Sequence, residues 1–297
     1  MADAPTPTKP AGPAPSPRRS IFRRLLRLAF LAACCYLGVI LVLLFLENWL
    51  LFRPTRASED WIPPPNERFT DVELISADGT RLHAWWCPPE GWEPVHGATL
   101  YCHGNAGNLS HRGESILRWQ RPPLRQAVLI FDYPGYGKSE GKPTEAGCYA
   151  AADAAYDWLV REKQVPPERL LLYGGSLGGA VATDLAVRRP HRALVLVSAF
   201  TSIPEMAQEV YPWLPARWLV RNQFDNLAKI GQCTQPVFIA HGTADSLVPF
   251  AHAERLFAAA NEPKHLFRME GYEHYHTPDP EFYLTLADFL EKCERAK

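Results

Sequence analysis

Leu28 to Leu46 is an unbroken run of 19 residues without a charge. Few backbones are open to such a stretch. In lipid, every N–H and C=O must be satisfied within the segment, which leaves the α-helix. At about 1.5 Å per residue the run nearly spans a hydrocarbon core of roughly 30 Å. Trp49 and Phe52 follow, with Arg53 beyond, in the manner of an interfacial belt. Ahead of the run stand Lys9, Arg18, Arg19, Arg23, Arg24 and Arg27 against Asp3, a net +5, which leaves −6 for the remainder of a chain of net charge −1. A basic flank before an apolar run is a membrane pattern, and nothing in this balance points to nucleic acid.

Other readings of the segment fit less well. A cleaved signal peptide needs a shorter apolar core and a small-residue cleavage site, and no A-x-A site follows here. Leu31-Ala32-Ala33-Cys34 resembles a lipoprotein signal, but the apolar run continues past Cys34. Flanking arginines argue against a buried core helix. The expected organisation is therefore a disordered, basic, cytoplasmic tail over residues 1–27, a single transmembrane anchor over 28–52, and one α/β domain over 53–297. The bilayer is then a partner, and the positive-inside rule places the domain on the far side from the cytoplasm.

From about residue 66, apolar β-branched runs alternate with amphipathic stretches, the pattern of an α/β sheet. Residues 69–76 and 80–87 read as a hairpin around Asp78-Gly79. Strands are expected at 98–102, 127–131, 170–173, 193–197, 237–240 and 265–269, and helices at 144–161, 177–188, 251–260 and 281–292. Residues 200–232 interrupt the alternation with Met206, Tyr211, Trp213, Trp218 and Phe224. They read as a small cap, with Met206, Tyr211 and Trp213 as candidate substrate contacts. A helix packed on the sheet edge is the plainer alternative.

Gly174-Gly175-Ser176-Leu177-Gly178 falls between an expected strand and an expected helix. A G-x-S-x-G in that context forces a sharp turn that leaves the serine at its tip, with glycines where side chains would crowd. Serine needs a base to take its proton and an acid to orient that base. Asp245, in His241-Gly242-Thr243-Ala244-Asp245, and His274, in Gly271-Tyr272-Glu273-His274-Tyr275-His276, follow in the required order and lie past strand ends. His276 is the competing base. His241 reads as structural, and His83, His111 and His191 as surface or packing residues. The oxyanion hole should use the Leu177 N–H and one from His103-Gly104-Asn105-Ala106-Gly107-Asn108, with Asn105 favoured and Gly104 possible.

Other motifs fail. Gly137-Lys138-Ser139 ends like a phosphate loop, but the required glycine is Asp132 and Pro134 intervenes, so a tight turn is expected. Asn108-Leu109-Ser110 is a formal glycosylation sequon, placed too close to the site for that use. The five cysteines beyond the apolar run form no C-x-x-C pair, and neither a metal site nor a cofactor is expected.

These segments, with Phe131-Asp132-Tyr133-Pro134-Gly135-Tyr136-Gly137 and Ala199-Phe200-Thr201-Ser202-Ile203, resemble α/β-hydrolase domain-containing proteins that carry an N-terminal membrane anchor and a short cap. The likeness covers about residues 40–295. It implies an eight-stranded, mostly parallel sheet with helices on both faces, and a Ser176–Asp245–His274 triad. One departure is that Tyr275-His276 follow His274 where the family usually has Asn-Asp. The expected activity is hydrolysis of an ester or thioester of an acylated lipid-like, small-molecule or protein substrate through an acyl-serine. A serine aminopeptidase or amidase, and a non-catalytic membrane scaffold, are the alternatives.

Overall fold

A computed structural model describes residues 17–275 and 278–296. Most of the expected tail, and His276, lie outside the described residues. The chain divides into two compact units, with the boundary between Leu46 and Glu47.

Helix α1 runs Pro17–Leu51. It begins earlier than the expected Leu28, so residues 17–27 are helical rather than part of a tail. Arginine and leucine are good helix formers, and proline suits a first helical position. Ile21–Leu51 is long and apolar enough to cross a membrane, by length and composition.

The second unit is built on an eight-stranded sheet. Its strands are β1 Thr70–Ile75, β2 Arg81–Cys87, β3 Ala98–Cys102, β4 Ala127–Phe131, β5 Leu170–Gly175, β6 Ala193–Val197, β7 Val237–Gly242 and β8 Lys264–Met269. Their order across the sheet is β8-β7-β6-β5-β3-β4-β2-β1. Strand β2 runs antiparallel to both β1 and β4, and the other neighbours are parallel. The inner strands β3, β4 and β6 are buried at every position, which is why they read as continuous apolar runs.

Helices cover both faces. Alternate strand residues feed two cores. Leu100, Leu129, Leu172 and Leu196 pack with helices α3 (Glu145–Arg161), α4 (Leu177–Arg188) and α8 (Ala251–Ala259). Tyr101, Val128, Tyr173 and Val195 pack with α2 (Gly113–Trp119) and α9 (Pro280–Arg295). Thr144 caps α3, its side chain accepting from Gly147 N–H.

Between β6 and β7 lie α5 (Ile203–Val210), α6 (Ala216–Leu219) and α7 (Asn226–Ile230). Residues 200–232 do not stand apart from the sheet layers as one block. Ile230 and Cys233 are buried in the main core with α4 and α8, and Phe224 is buried there too. In α5, Pro204 is buried and Ile203 and Met206 pack against the same core, while Tyr211, Trp213 and Trp218 beyond it are exposed.

Candidate active site

Strand order decides where a site can form. Strands β3 and β5 are neighbours, yet the chain leaves β3 toward β4 on one side and β5 toward β6 on the other. Their C-terminal ends therefore open a crevice. Residues 103–108 and Ser176 lie directly beyond those two ends.

Ser176 sits between β5 and α4 at φ 52°, ψ −119°, a backbone region that L-residues rarely occupy. Two bonds hold it there: its N–H donates to Val197 O at 2.9 Å, and its carbonyl accepts from Gly179 N at 2.9 Å. The turn is tight. A Cβ on Gly174 would come within 2.2 Å of Gly178 O, and one on Gly178 within 2.0 Å of Cys102 O.

His274 Nε2 is 3.1 Å from Ser176 Oγ, and its Nδ1 is 2.8 Å from Asp245 Oδ2. These partners define the tautomer: Nδ1–H donates to the carboxylate and Nε2 accepts the serine proton. The other oxygen of Asp245 accepts from Leu247 N at 3.0 Å and Val248 N at 2.7 Å. His241 Nε2 lies 2.8 Å from Val248 O and 3.3 Å from Asp245 Oδ2. Burial alone would raise the Asp245 pKa. Hydrogen bonds from His241, His274 and the Val248 N–H outweigh it and hold the carboxyl well below the usual range. Asp245 thus stays ionised wherever the histidine cycles. The two loops are stapled together, since Ser246 N and Oγ donate to Glu273 Oε2 at 3.0 and 2.9 Å.

The structure thus brings together Ser176, Asp245 and His274. Asn105 and Gly104 line the same cavity, and Leu177 opens α4. Neither the Asn105 nor the Leu177 N–H has a hydrogen-bond partner among the described residues, as an oxyanion hole requires.

Known proteins share this architecture. A profile of the alpha/beta hydrolase fold matches residues 99–225. An uncharacterized protein of Mycobacterium tuberculosis is 43% identical over 213 residues, 71% of this chain and 73% of that one. The alpha/beta hydrolase domain-containing protein WAV2 of Arabidopsis thaliana is 35% identical over 218 residues, 67% of this chain and 70% of its own. The chain belongs to the α/β-hydrolase superfamily. Among solved structures, a Pyrococcus furiosus esterase superimposes with TM-score 0.65 at 19% identity, over 82% of this hydrolase and 98% of that chain.

In this α/β-hydrolase the cavity at Ser176 holds about 260 Å³ and is lined by Tyr101, Tyr173, Val197, Leu247, Tyr275 and Pro278, with His111, Arg112, Glu114 and Ser115 among its polar members. Met206, Tyr211 and Trp213 are not in its lining. Met206 packs against the main core, and Tyr211 and Trp213 stand on the surface. An aromatic cap sequence signals apolar contact without saying with what. His111, read as a surface or packing residue, lines the cavity.

The residues that hold the oxyanion loop escaped the motif reading. Tyr133 Oη donates to His103 O and Tyr136 Oη to Asn105 O, each at 2.8 Å. The Asn105 side-chain amide donates to Leu51 O, one of the last carbonyls of α1. Arg53–Pro54 pairs in parallel with Ala106–Gly107. The buried Asn108 amide donates to Thr55 O at 3.1 Å and Asp60 O at 2.9 Å, so the sequon serves structure. Gly137-Lys138-Ser139 likewise forms a turn: Ser139 Oγ donates to Asp132 O and accepts from His83 N, each at 2.9 Å.

Residues 51–60 are thus a wall of the oxyanion loop. Asn105→Ala keeps the backbone donor but frees the loop from Leu51. We expect kcat to fall by about 10–100-fold, below the ~10²–10³ of a lost donor, with KM little changed. Steady-state kinetics on an activated ester reads this. A fall in KM's favour alone, with kcat intact, would show that Leu51 does not position the loop.

Proposed function

We propose that this chain is a membrane-anchored serine hydrolase that cleaves esters or thioesters of acylated substrates through an acyl-Ser176 intermediate. The observation that carries the reading is the relay itself: Ser176 Oγ, His274 and Asp245 in contact at 3.1 and 2.8 Å.

The chemistry follows from those contacts. As Ser176 Oγ attacks the acyl carbon, His274 Nε2 takes its proton. Asp245 holds the imidazole and offsets its new charge. The carbonyl oxygen, now negative, sits against the Asn105 and Leu177 N–H groups. Collapse of the tetrahedral adduct breaks the bond to the leaving alkoxide or thiolate, which takes the proton from Nε2. A water then attacks the acyl-serine, giving its proton to Nε2 and returning Ser176 with release of the acid.

The cavity narrows the substrate. Its volume of about 260 Å³ falls below the ~300–1,000 Å³ of drug-sized ligand sites, and its walls mix aromatic and polar groups. A short acyl group fits the observation better than a long one. Across p-nitrophenyl esters, kcat/KM should peak at butyryl or hexanoyl and fall for palmitoyl. A steady rise to palmitoyl would contradict this placement of the acyl chain. Faster turnover of arylamides than of esters would favour an amidase instead.

The apolar helix is read as the anchor. By the positive-inside rule, the basic residues ahead of it favour a cytoplasmic N-terminus and a hydrolase domain on the far side.

A further inference from the structure

The surface aromatics of the α5–α6 region do not line the cavity, and they are exposed. Trp218 is 86% exposed, and Val210, Tyr211 and Trp213 are exposed as well. Scattered apolar residues on a surface need no explanation. Four within positions 210–218, including two tryptophans, form a patch.

The location of that patch is fixed by Glu47. This carboxylate is only 8% exposed although it follows the charge-free run directly. It accepts from Arg221 N at 3.0 Å, Arg221 Nε at 3.0 Å, Asn222 N at 2.8 Å and Asn222 Nδ2 at 2.7 Å. Asn222 Nδ2 also donates to Asn48 Oδ1 at 2.8 Å. The chain just after α6 is therefore clamped to Glu47 and Asn48. Arg221 is three residues from Trp218, so their Cα atoms lie within about 11 Å.

We propose that residues 210–218 rest on the bilayer, with Trp213 and Trp218 at headgroup level. The proposal rests on reading Leu28–Leu46 as the membrane span. On that reading Glu47 lies at the hydrocarbon boundary, and the clamp ties the segment that carries Trp218 to it. Tryptophan and tyrosine favour the headgroup zone, where an apolar ring can sit with its polar edge in water. Arg217 and Arg221 flank the rings, each paired with a carboxylate at 3.0 Å, Glu205 and Glu47 respectively, and Arg53 lies over the Trp49 ring at 5.9 Å. The patch is then a foot that holds the hydrolase domain against the membrane, and it explains why these aromatics face outward instead of into the cavity.

The test uses the full chain with p-benzoylphenylalanine in place of Trp218, reconstituted in vesicles of phosphatidylcholine and phosphatidylglycerol and irradiated. Parallel chains carry the probe in place of Phe30, inside the apolar run, and of Leu284, exposed on α9 at the opposite face of the sheet. Intact mass should show one added lipid at positions 30 and 218 and none at 284. An adduct at 30 without one at 218 overturns the foot and leaves the anchor. No adduct at 30 overturns the anchor and the foot together. A product of twice the chain mass at 218, in place of the lipid adduct, gives the patch to a second copy and overturns the proposal. Equal lipid labelling at 218 and 284 overturns it also, since the contact would be unspecific. None of these readings depends on activity, so they stand apart from the hydrolase reading.

Discussion

Ser176→Ala should lower ester turnover by about 10⁶-fold while leaving the fold intact, because it removes one oxygen and keeps the backbone of the turn. His274→Ala should cost a similar factor, since it removes the base that is hydrogen-bonded to Ser176 Oγ among the described residues. The double variant should be no worse than either single one. The two residues act as a unit, and what remains comes from the oxyanion donors and binding. Asp245→Asn should cost less, about 10⁴-fold, by offering His274 the wrong partner and thus the wrong tautomer. Single-turnover kinetics on an activated ester measures all four. Additive losses in the double variant would mean that Ser176 and His274 do not share a step.

Gly178→Ala should strike stability as well as activity. The new methyl carbon would stand 2.0 Å from the carbonyl oxygen of Cys102, the last residue of β3, and 2.6 Å from that of His103, the first residue beyond it, both backbone atoms. Neither can move aside as a side-chain tip could. The cost should reach at least about 3 kcal/mol, the upper end of overpacking. For a domain of this size that is a fall in Tm of roughly 6–12 °C. Gly175→Ala provides the contrast. Its nearest neighbour would be Tyr173 Oη at 3.7 Å, an ordinary contact, so Tm should hardly change. Thermal unfolding of the two variants side by side distinguishes a steric turn from a merely glycine-rich one. Equal Tm values would remove the steric account of this motif.

The contrast between these glycines shows what a motif conveys. Gly174-Gly175-Ser176-Leu177-Gly178 could be read because a strand-to-helix turn of this kind is local, and its steric demands fall on adjacent residues. Asp245 and His274 were legible for a related reason: each follows a strand, and strand ends of a parallel sheet converge. The supports of the oxyanion loop are different. Asn105 meets Leu51, and Asn108 meets Thr55 and Asp60, across some fifty residues of chain. No periodicity encodes such contacts. Tyr133 and Tyr136 left a trace in their spacing after β4, but nothing local says that their hydroxyls reach back to His103 and Asn105.

The α5–α6 region failed for the opposite reason. Its aromatics were conspicuous, and apolar character alone does not choose between a cavity, a core and a membrane. The structure sends Met206 to the core and leaves Trp213 and Trp218 outside. Helix α2 was passed over because only Ile116 and Trp119 carry its buried apolar side chains, too short a pattern to register.

The central claim is an activated Ser176. The most direct test treats the full chain in detergent with a fluorophosphonate probe and maps the modified residue by mass spectrometry. Wild type should be labelled at Ser176, Ser176→Ala should not be labelled, and His274→Ala should react far more slowly. A folded wild type that takes no label, or one whose labelling rate is the same without His274, would contradict the account.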